Sequence, residues 1–546
     1  MNRTHSRGSA AVLAAAALIL GVSACTPTQT VGGDAGSTLN IAYPATSFTE
    51  NFNFLSPTNT SVPPGSDLVY ETLIKLSPST GFTPEPWLAS AWNWNADGTE
   101  LTWTLRDDVT WSDGEPFTAK DVAFTLGLRS NPQLVMGNPG DITSVDAPDD
   151  TTVVVHYSEP SFAGFGRYYA VKILPEHLWA NEDPTQFTDA DPVGTGPFTV
   201  SDFGQQQVSY SLREDYWGGD SKGVRTVNYQ AVATPDAILQ NLLSGASDYA
   251  ESALTGNPQN TFVAKNPDTN HFWLPTPGAG EALLFNNAVA PTNDANIRQA
   301  LYHALDAGKL VTLTPGNFAT AANVTGLNEP AYTDWLDPQY RGVTQKQDPE
   351  AATAALAASG YAVVGGVLTK DGQSYPLTLK TSPSQPAWDN AVVGQIHDVL
   401  GIEITVDKAA QNDDAVSSGD YQLAFGPDVP GQGAPGGLLW AVDAPTAVGS
   451  PAGTNWARAD SPEALALAKQ LGQTDDVAAQ QQLAFQIEKI IVDQRFTAPI
   501  APYAWSVAYT STHWTGWPDT DDPATVPPNG RADLILTILN LVPAGA

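Results

Sequence analysis

The side chains best able to do covalent chemistry are few in this chain of 546 residues, and they stand apart from one another. Its seven histidines, His5, His156, His177, His271, His303, His397 and His513, are scattered singly. No two share the H-x-x-x-H spacing that would set paired imidazoles on one helix face around zinc. The single cysteine, Cys25, excludes an internal disulfide and any site built on several thiolates. The run "GDSKG" (219–223) has the letters of a nucleophile elbow, which needs a strand before it and a helix after it. Here the aromatic loop "DYWG" precedes and the strand-like "VRTVNYQAV" follows, so Ser221 reads as part of a glycine-rich surface turn. No G-x-x-x-x-G-K-[ST] loop is present to cradle a nucleotide. The 58 acidic residues are too many for any carboxylate pair to be diagnostic. Set against 24 basic residues they leave a formal charge of −34, which disfavours nucleic acid as a partner. None of these patterns gives positive support to a catalytic site.

Cys25 closes a segment laid out as an export signal. Met1 to Ser9 carries Arg3 and Arg7 and no acid, Ala10 to Val22 is apolar, and the small residues of "VSAC" follow. The apolar stretch reaches about 20 Å as a helix, short of a hydrocarbon core of about 30 Å, so a permanent span is the weaker reading. Cleavage after Val22-Ser23-Ala24 would leave Cys25 as a free terminal thiol. Alternatively "VSAC" resembles a bacterial lipobox, whose cysteine is acylated and becomes the first mature residue. An exported chain that otherwise avoids thiols has little use for a reactive one, which favours lipidation. Residues 26–37, "TPTQTVGGDAGS", then form a polar tether of roughly 20 Å root-mean-square length.

Strand and helix patterns alternate through the rest, which predicts an α/β chain of more than one lobe. "TLNIAYPAT" (38–46), "LTWTLR" and "TTVVVHYS" (151–158) alternate as half-buried strands do. A helix starts at "TAKDVAF", with Thr118 as N-cap and Asp121 at its third position. Further helices are expected over 234–250, capped by Thr234 and ending near Gly245, and over 293–311. A strand is expected over 281–291 and a helical hairpin, capped by Ser461, over 461–494. No repeat of 20 to 50 residues is evident.

Four ordered blocks carry a resemblance. They are "YETLIKL…PWLASAW…LTWTLRDDVTWSDGEPFTAKDVAF", "GTGPFTV…LREDYWGG", "FNNAVAPTNDANIRQALYHALD" and "TAPIAPYAWSVAYTSTHWTGWP". Over roughly residues 38–546 the chain resembles the family 5 extracellular solute-binding proteins of ABC importers. That group includes oligopeptide, dipeptide, nickel and oligosaccharide binders. The resemblance implies a two-lobed, periplasmic-binding-protein-like α/β fold with the ligand cleft between the lobes. Lobe I would comprise 38–70, 192–276 and 497–546, with an extra subdomain at 71–191, and lobe II would be 277–496. The hinge crossings would lie near Thr276 to Gly280 and Phe496 to Pro499. Trp87, Trp92, Trp94, Trp103 and Trp111 fall in the shared scaffold and are expected to fill cores and corners. Arg106 and Arg298 are expected to pair with the acidic excess.

The resemblance also implies a monomer that captures a small solute and passes it to permease subunits in the membrane, held at the outer membrane face by its lipid. No cofactor and no metal is expected. Cleft-facing loops after the strands offer Phe48, Asn51, Tyr249, Glu251, Trp388, Asp428, Trp440, Tyr503 and Trp505 as ligand contacts. A peptide would need a carboxylate for its α-amino group, and a sugar would need aromatic faces with polar neighbours. Both kinds of residue are present, so oligopeptide and oligosaccharide stay level. A nickel chelate, an exported hydrolase and an adhesin on the same fold are the alternatives. If Cys25 is the anchor, Cys25→Ser shifts the protein from the membrane fraction to the soluble one, or accumulates uncleaved precursor. An unchanged, unlipidated membrane fraction would refute the lipobox.

Overall fold

The computed structural model describes residues 36–545 except 57–58, 60–61, 77–82, 129–130, 132–133, 135–141, 252–253, 255–256, 274–279, 314–319, 382–387, 409–411, 428–437, 439–440, 451–454, 503–505 and 519–531. Period-two apolar segments pair into two principal sheets. The first has seven strands, in the order Asn270–Trp273, Val507–Thr510, Tyr249–Glu251, Thr38–Tyr43, Thr226–Ala231, Gln207–Leu212 and Phe198–Gly204. Its middle strand is parallel to both neighbours, with Ile41 opposite Tyr249 and Leu39 opposite Val227. The second has five, in the order Ile404–Lys408, Leu377–Thr381, Leu423–Pro427, Gly280–Phe285 and Thr497–Pro502. A four-stranded antiparallel sheet joins Ala89–Trp94, Glu100–Leu105, Thr152–Tyr157 and Ile142–Asp146. Each sheet buries its own apolar cluster, around Ile41, Val227 and Ile535, around Leu283, Leu379 and Ile396, and around Leu101, Trp103 and Val155. The architecture is a two-lobed α/β fold with an additional β subdomain.

Local capping chemistry sets most helix ends where the sequence puts them. Thr234 accepts a hydrogen bond from Ala237 N at the head of Pro235–Ser244, and Gly245 ends that helix at φ 74°. Ser461 caps Pro462–Gly472, and Val477–Gln494 completes the hairpin. Asp121 reaches back to Thr118 N at 2.8 Å, the return bond of a capping box at the head of Ala119–Leu128. Two expected elements are shorter. The helix over 293–311 is two, Ala295–His303 and Ala307–Val311, because Asp306 caps Lys309 N at 3.0 Å and restarts the turn. The strand over 281–291 stops at Phe285, since the Asn286 amide turns aside to the carbonyls of Gly419 and Tyr421 at 2.9 and 2.8 Å.

The second crossing also differs from expectation. Residues 497–502 belong to the five-stranded sheet, so the chain returns to the other sheet only after Pro502. "TAPIAP" pairs despite its two prolines because an edge strand tolerates prolines on its unpaired side. Arg298 differs as well. It is 4% exposed and donates to the carbonyls of Thr292, Gln494 and Arg495 at 2.9, 3.0 and 3.1 Å, serving the open end of a helix rather than an acid. Burial lowers its pKa to about 10. Arg106 does take an acid, Asp108 at 3.0 Å, while lying 4.4 Å over the Trp217 ring.

The β subdomain is fixed to the first lobe by a buried carboxylate. Glu71, 2% exposed, accepts from Trp87 Nε1 at 2.8 Å, Tyr216 OH at 2.8 Å and Trp217 Nε1 at 2.9 Å. Burial raises its pKa, and these donors work against the rise. Beside it Arg213 donates to the carbonyls of Thr110, Trp111 and Gly194 at 3.2, 3.1 and 3.2 Å. Gly194 and Gly196 pass so close to the neighbouring chain that a Cβ would lie 1.9 Å from the Val69 oxygen or 2.3 Å from that of Leu68. Trp103 and Trp111 are fully buried, and Trp87, Trp92 and Trp94 pack against the subdomain core. Glu71→Ala leaves the buried Tyr216 hydroxyl and the half-buried Trp87 and Trp217 indoles without this acceptor. We expect it to lower stability by about 3 kcal/mol or more, read as the urea midpoint of the tryptophan signal. A loss below about 1 kcal/mol would mean the junction does not depend on this carboxylate.

Candidate functional site

Ligands of open α/β sheets bind outside the carboxyl ends of parallel strands, where neighbouring connections diverge. In the first lobe those ends are Tyr43 and Glu251, on the adjacent parallel strands Thr38–Tyr43 and Tyr249–Glu251. The strand Tyr249–Glu251 sends both side chains to one face, because residues two apart share a side. The Tyr249 hydroxyl donates to Glu251 Oε1 at 3.2 Å. Tyr249 is 1% exposed, and its ring lies against Trp517 at 5.7 Å and 6°. Trp517 stacks in turn on Tyr509 at 4.7 Å, and Tyr509 on His271 at 4.8 Å. A row of four rings thus holds the tyrosine that orients Glu251.

Burial pushes the Glu251 carboxyl up to about 8; the Tyr249 hydrogen bond opposes this and the charge of Asp67 adds to it. Tyr43 is raised by burial first, then by Glu251 and Asp67, which places the three acids in one electrostatic neighbourhood. Asp67 is the member with a cation: Lys172 Nζ lies 2.8 Å from Asp67 Oδ1, 3.1 Å from Ser66 Oγ and 5.2 Å above the Phe54 ring. The site therefore combines a proton-holding carboxyl, an ion pair and the rings of Tyr43, Phe48, Phe54 and Tyr229. It can accept a hydroxyl, pair with an ammonium, or lie against an apolar surface.

Of the residues singled out from sequence, Phe48, Tyr249 and Glu251 come together here. Phe48 is 5% exposed, 6.1 Å from the Tyr43 ring, with its backbone N–H on the Gln205 carbonyl at 2.8 Å. Asn51 shapes the following loop: its Oδ1 accepts from Asn53 N at 3.0 Å and its carbonyl from Asn59 Nδ2 at 3.0 Å. Trp388 lies apart, buried at the head of Trp388–Leu400 and edge-on to Phe425 at 6.1 Å. Cys25, Asp428, Trp440, Tyr503 and Trp505 lie outside the described residues. Sequence reading passed over Tyr43, Asp67, Lys172 and Trp517. Tyr43 had a usable signal, as the last residue of a predicted strand before a proline. Lys172 had none that pointed to Asp67.

Ser221 sits in a turn that braces the chain's last segment. Its Oγ accepts from Gly223 N at 3.3 Å, Lys222 N donates to the Leu539 carbonyl at 2.9 Å, and Asp220 holds Arg225 at 2.5 Å. A separate hollow of about 520 Å³ in the second lobe is lined by Tyr302, His303, Gln345, Lys346, Asp348 and Arg495. Arg495 there lies 3.7 Å over the Tyr302 ring. Among the described residues no three His, Cys, Asp or Glu side chains group as a metal site. Among them, too, no helix is long and apolar enough to cross a membrane.

Comparison with known proteins agrees with the fold. Residues 83–450 match the bacterial extracellular solute-binding proteins, family 5 Middle. A Brucella ovis protein named for an ABC transporter and for peptide binding is 28% identical over 357 residues, 60% of this chain and 64% of that one. The nickel-binding periplasmic protein of Escherichia coli is 27% identical over 330 residues, 58% of this chain and 60% of that one. The chain thus spans a little under two thirds of the length of these curated relatives. Among solved structures, a periplasmic oligopeptide-binding protein of Thermotoga maritima superposes with TM-score 0.83 at 22% identity, covering 94% of this chain and all of that one. The same protein bound to mannohexaose gives 0.78 at 21%, with the same coverage. The nonapeptide complex of a Bacillus subtilis oligopeptide-binding protein gives 0.71 at 18%, covering 93% and 99%. With its family match covering most of its length, the chain belongs to the bacterial extracellular solute-binding proteins of family 5.

Proposed function

We propose that the protein is exported, anchored through acylated Cys25, and captures an oligopeptide or oligosaccharide between its lobes for delivery to an ABC permease. The observation that carries this reading is the cluster of Tyr43, Phe48, Asp67, Lys172 and Glu251 at the parallel-strand ends of the first lobe. The chain leaves the seven-stranded sheet after Trp273, enters the five-stranded sheet at Gly280 and passes from Pro502 back to the first sheet at Val507, so closing the lobes about that cluster would enclose a solute. Lobe I is then 38–70, 192–276 and 503–546, the subdomain 71–191, and lobe II 277–502. Glu251 and Asn51 supply polar contacts from lobe I, with Phe48 behind Tyr43 and Tyr249 behind Glu251. Trp388 belongs to lobe II, and Asp428, Trp440, Tyr503 and Trp505 stay among the proposed ligand contacts. The protein acts as a monomer, and the polar segment before residue 38 keeps it within reach of its permease.

Thermal-shift measurements against oligopeptides, β-linked and mannose oligosaccharides, and a nickel–histidine chelate test the capture. The true ligand raises the midpoint by mass action, and no shift from any panel would refute the proposal. Glu251 separates the two main chemistries by its pH dependence. Its proton must leave before it can pair with an α-ammonium, so a peptide using it binds more tightly as pH rises from about 6 to 7.5. A neutral sugar shows no such gain. The stability effect has the opposite sign. A carboxyl raised to about 8 in the fold stabilises fully below its unfolded pKa, and that contribution is lost as pH climbs through 8. Glu251→Gln should flatten this fall in midpoint, and an unchanged pH profile would show that Glu251 is not the group responsible.

A further inference from the structure

We propose that the β subdomain is a latch that holds the second lobe in its closed position, through Glu159 and the 3-10 helix Phe162–Ala170 set against the helix Pro462–Gly472. The inference rests on the lobe closure proposed above and assigns a part of the molecule to its control. Lys469 Nζ lies 2.7 and 2.9 Å from the two Glu159 carboxylate oxygens, joining residues 310 apart in sequence. Beneath this pair, Ala163 and Leu76 share one apolar cluster with Ala464, Ala468 and Leu471 of the second lobe. Tyr169 packs against both that cluster and the subdomain's own core. The chain passes between the two principal sheets elsewhere, from Trp273 to Gly280 and from Pro502 to Val507. Among the described residues this is a further tie between the lobes, made by side chains.

What the tie does follows from how the subdomain is held at its other end. Glu71 and Arg213 fix it to the first lobe with buried, charge-assisted hydrogen bonds. An opening about the two crossings cannot take the subdomain along with the second lobe, so the Glu159–Lys469 contact must part. A contact present only when the lobes are closed biases the equilibrium by its full free energy and couples to any ligand that favours closure. Both charged side chains are about half exposed, 50% and 56%, and the apolar partners are small, so the bias is slight and reversible.

Charge reversal in the full-length protein tests this. Glu159→Lys and Lys469→Glu each set like charges face to face, and the double swap restores the pair. In ligand-free protein, hydrogen exchange over 159–170 and 462–472 should quicken, and the radius of gyration should rise, in each single variant and return in the double. Affinity for a ligand from the peptide or sugar panels should weaken about three- to tenfold in the single variants and recover in the swap. Unchanged exchange and radius in both single variants overturn the latch, whether or not a ligand has been found. Faster exchange with unchanged affinity also overturns it, because the contact is then not coupled to closure. Faster exchange and a larger, swap-restored radius in a protein that binds nothing from the panels support the latch and refute solute capture.

Discussion

The Glu71 carboxylate is the constraint on which the first lobe and its added subdomain depend. A buried carboxyl without partners is costly, and burial does push this one toward its protonated form. Two indoles and a phenol, from two separated stretches of chain, offset that cost by donating to it. The bonds work only if Trp87 arrives from the subdomain side and Tyr216 and Trp217 from the lobe side. The glycine turn at 194–196 must then run hard against Leu68 and Val69. One charge-to-aromatic junction thereby fixes the relative placement of three chain segments.

Two of the four sequence blocks that resemble the family meet at or beside this junction, which explains why they carried so much information. "YETL" supplies Glu71, "PWL" supplies Trp87, "LREDYWGG" supplies Arg213, Tyr216 and Trp217, and "GTGPF" supplies the close turn. Helix ends were legible too, because a cap acts over three or four residues: Thr234 on Ala237, Ser461 on Ala464, Asp121 on Thr118. Pairings across long separations were not. That Arg298 serves carbonyls rather than an acid, or that "TAPIAP" is an edge strand, depends on where the chain returns. The candidate site was legible in part for the same reason. Glu251 and Tyr249 stand two residues apart on one strand, whereas Lys172 and Asp67 meet only through the fold.

The strongly acidic composition has a local consequence. In a chain of formal charge −34, a buried carboxyl without a cation against it is pushed toward its protonated form. Glu251 is pushed up to about 8 in the first lobe, and so is Glu488 in the second, where it is fully buried and accepts from the Asp337 backbone N–H. The two differ in what lies beside them. Glu488 stands within the helix Val477–Gln494, while Glu251 stands at the carboxyl end of an interior strand, in the neighbourhood of Tyr43 and of the Asp67–Lys172 pair. Burial alone therefore does not mark a site. The distinction comes from sheet topology.

Strong and weak contacts are divided between the two ends of the subdomain in a way that suits motion. At Glu71 and Arg213 the bonds are charged and buried, so separating them would expose unsatisfied groups on both sides. At Glu159 and Lys469 the charges are about half exposed, and the apolar contact beneath them takes Leu76, Ala163 and the half-buried Tyr169 from the subdomain. Parting the second contact returns its charges to water at little cost. The subdomain is consequently rigid toward the first lobe and releasable toward the second. That asymmetry is what a hinge needs from any element that spans its opening.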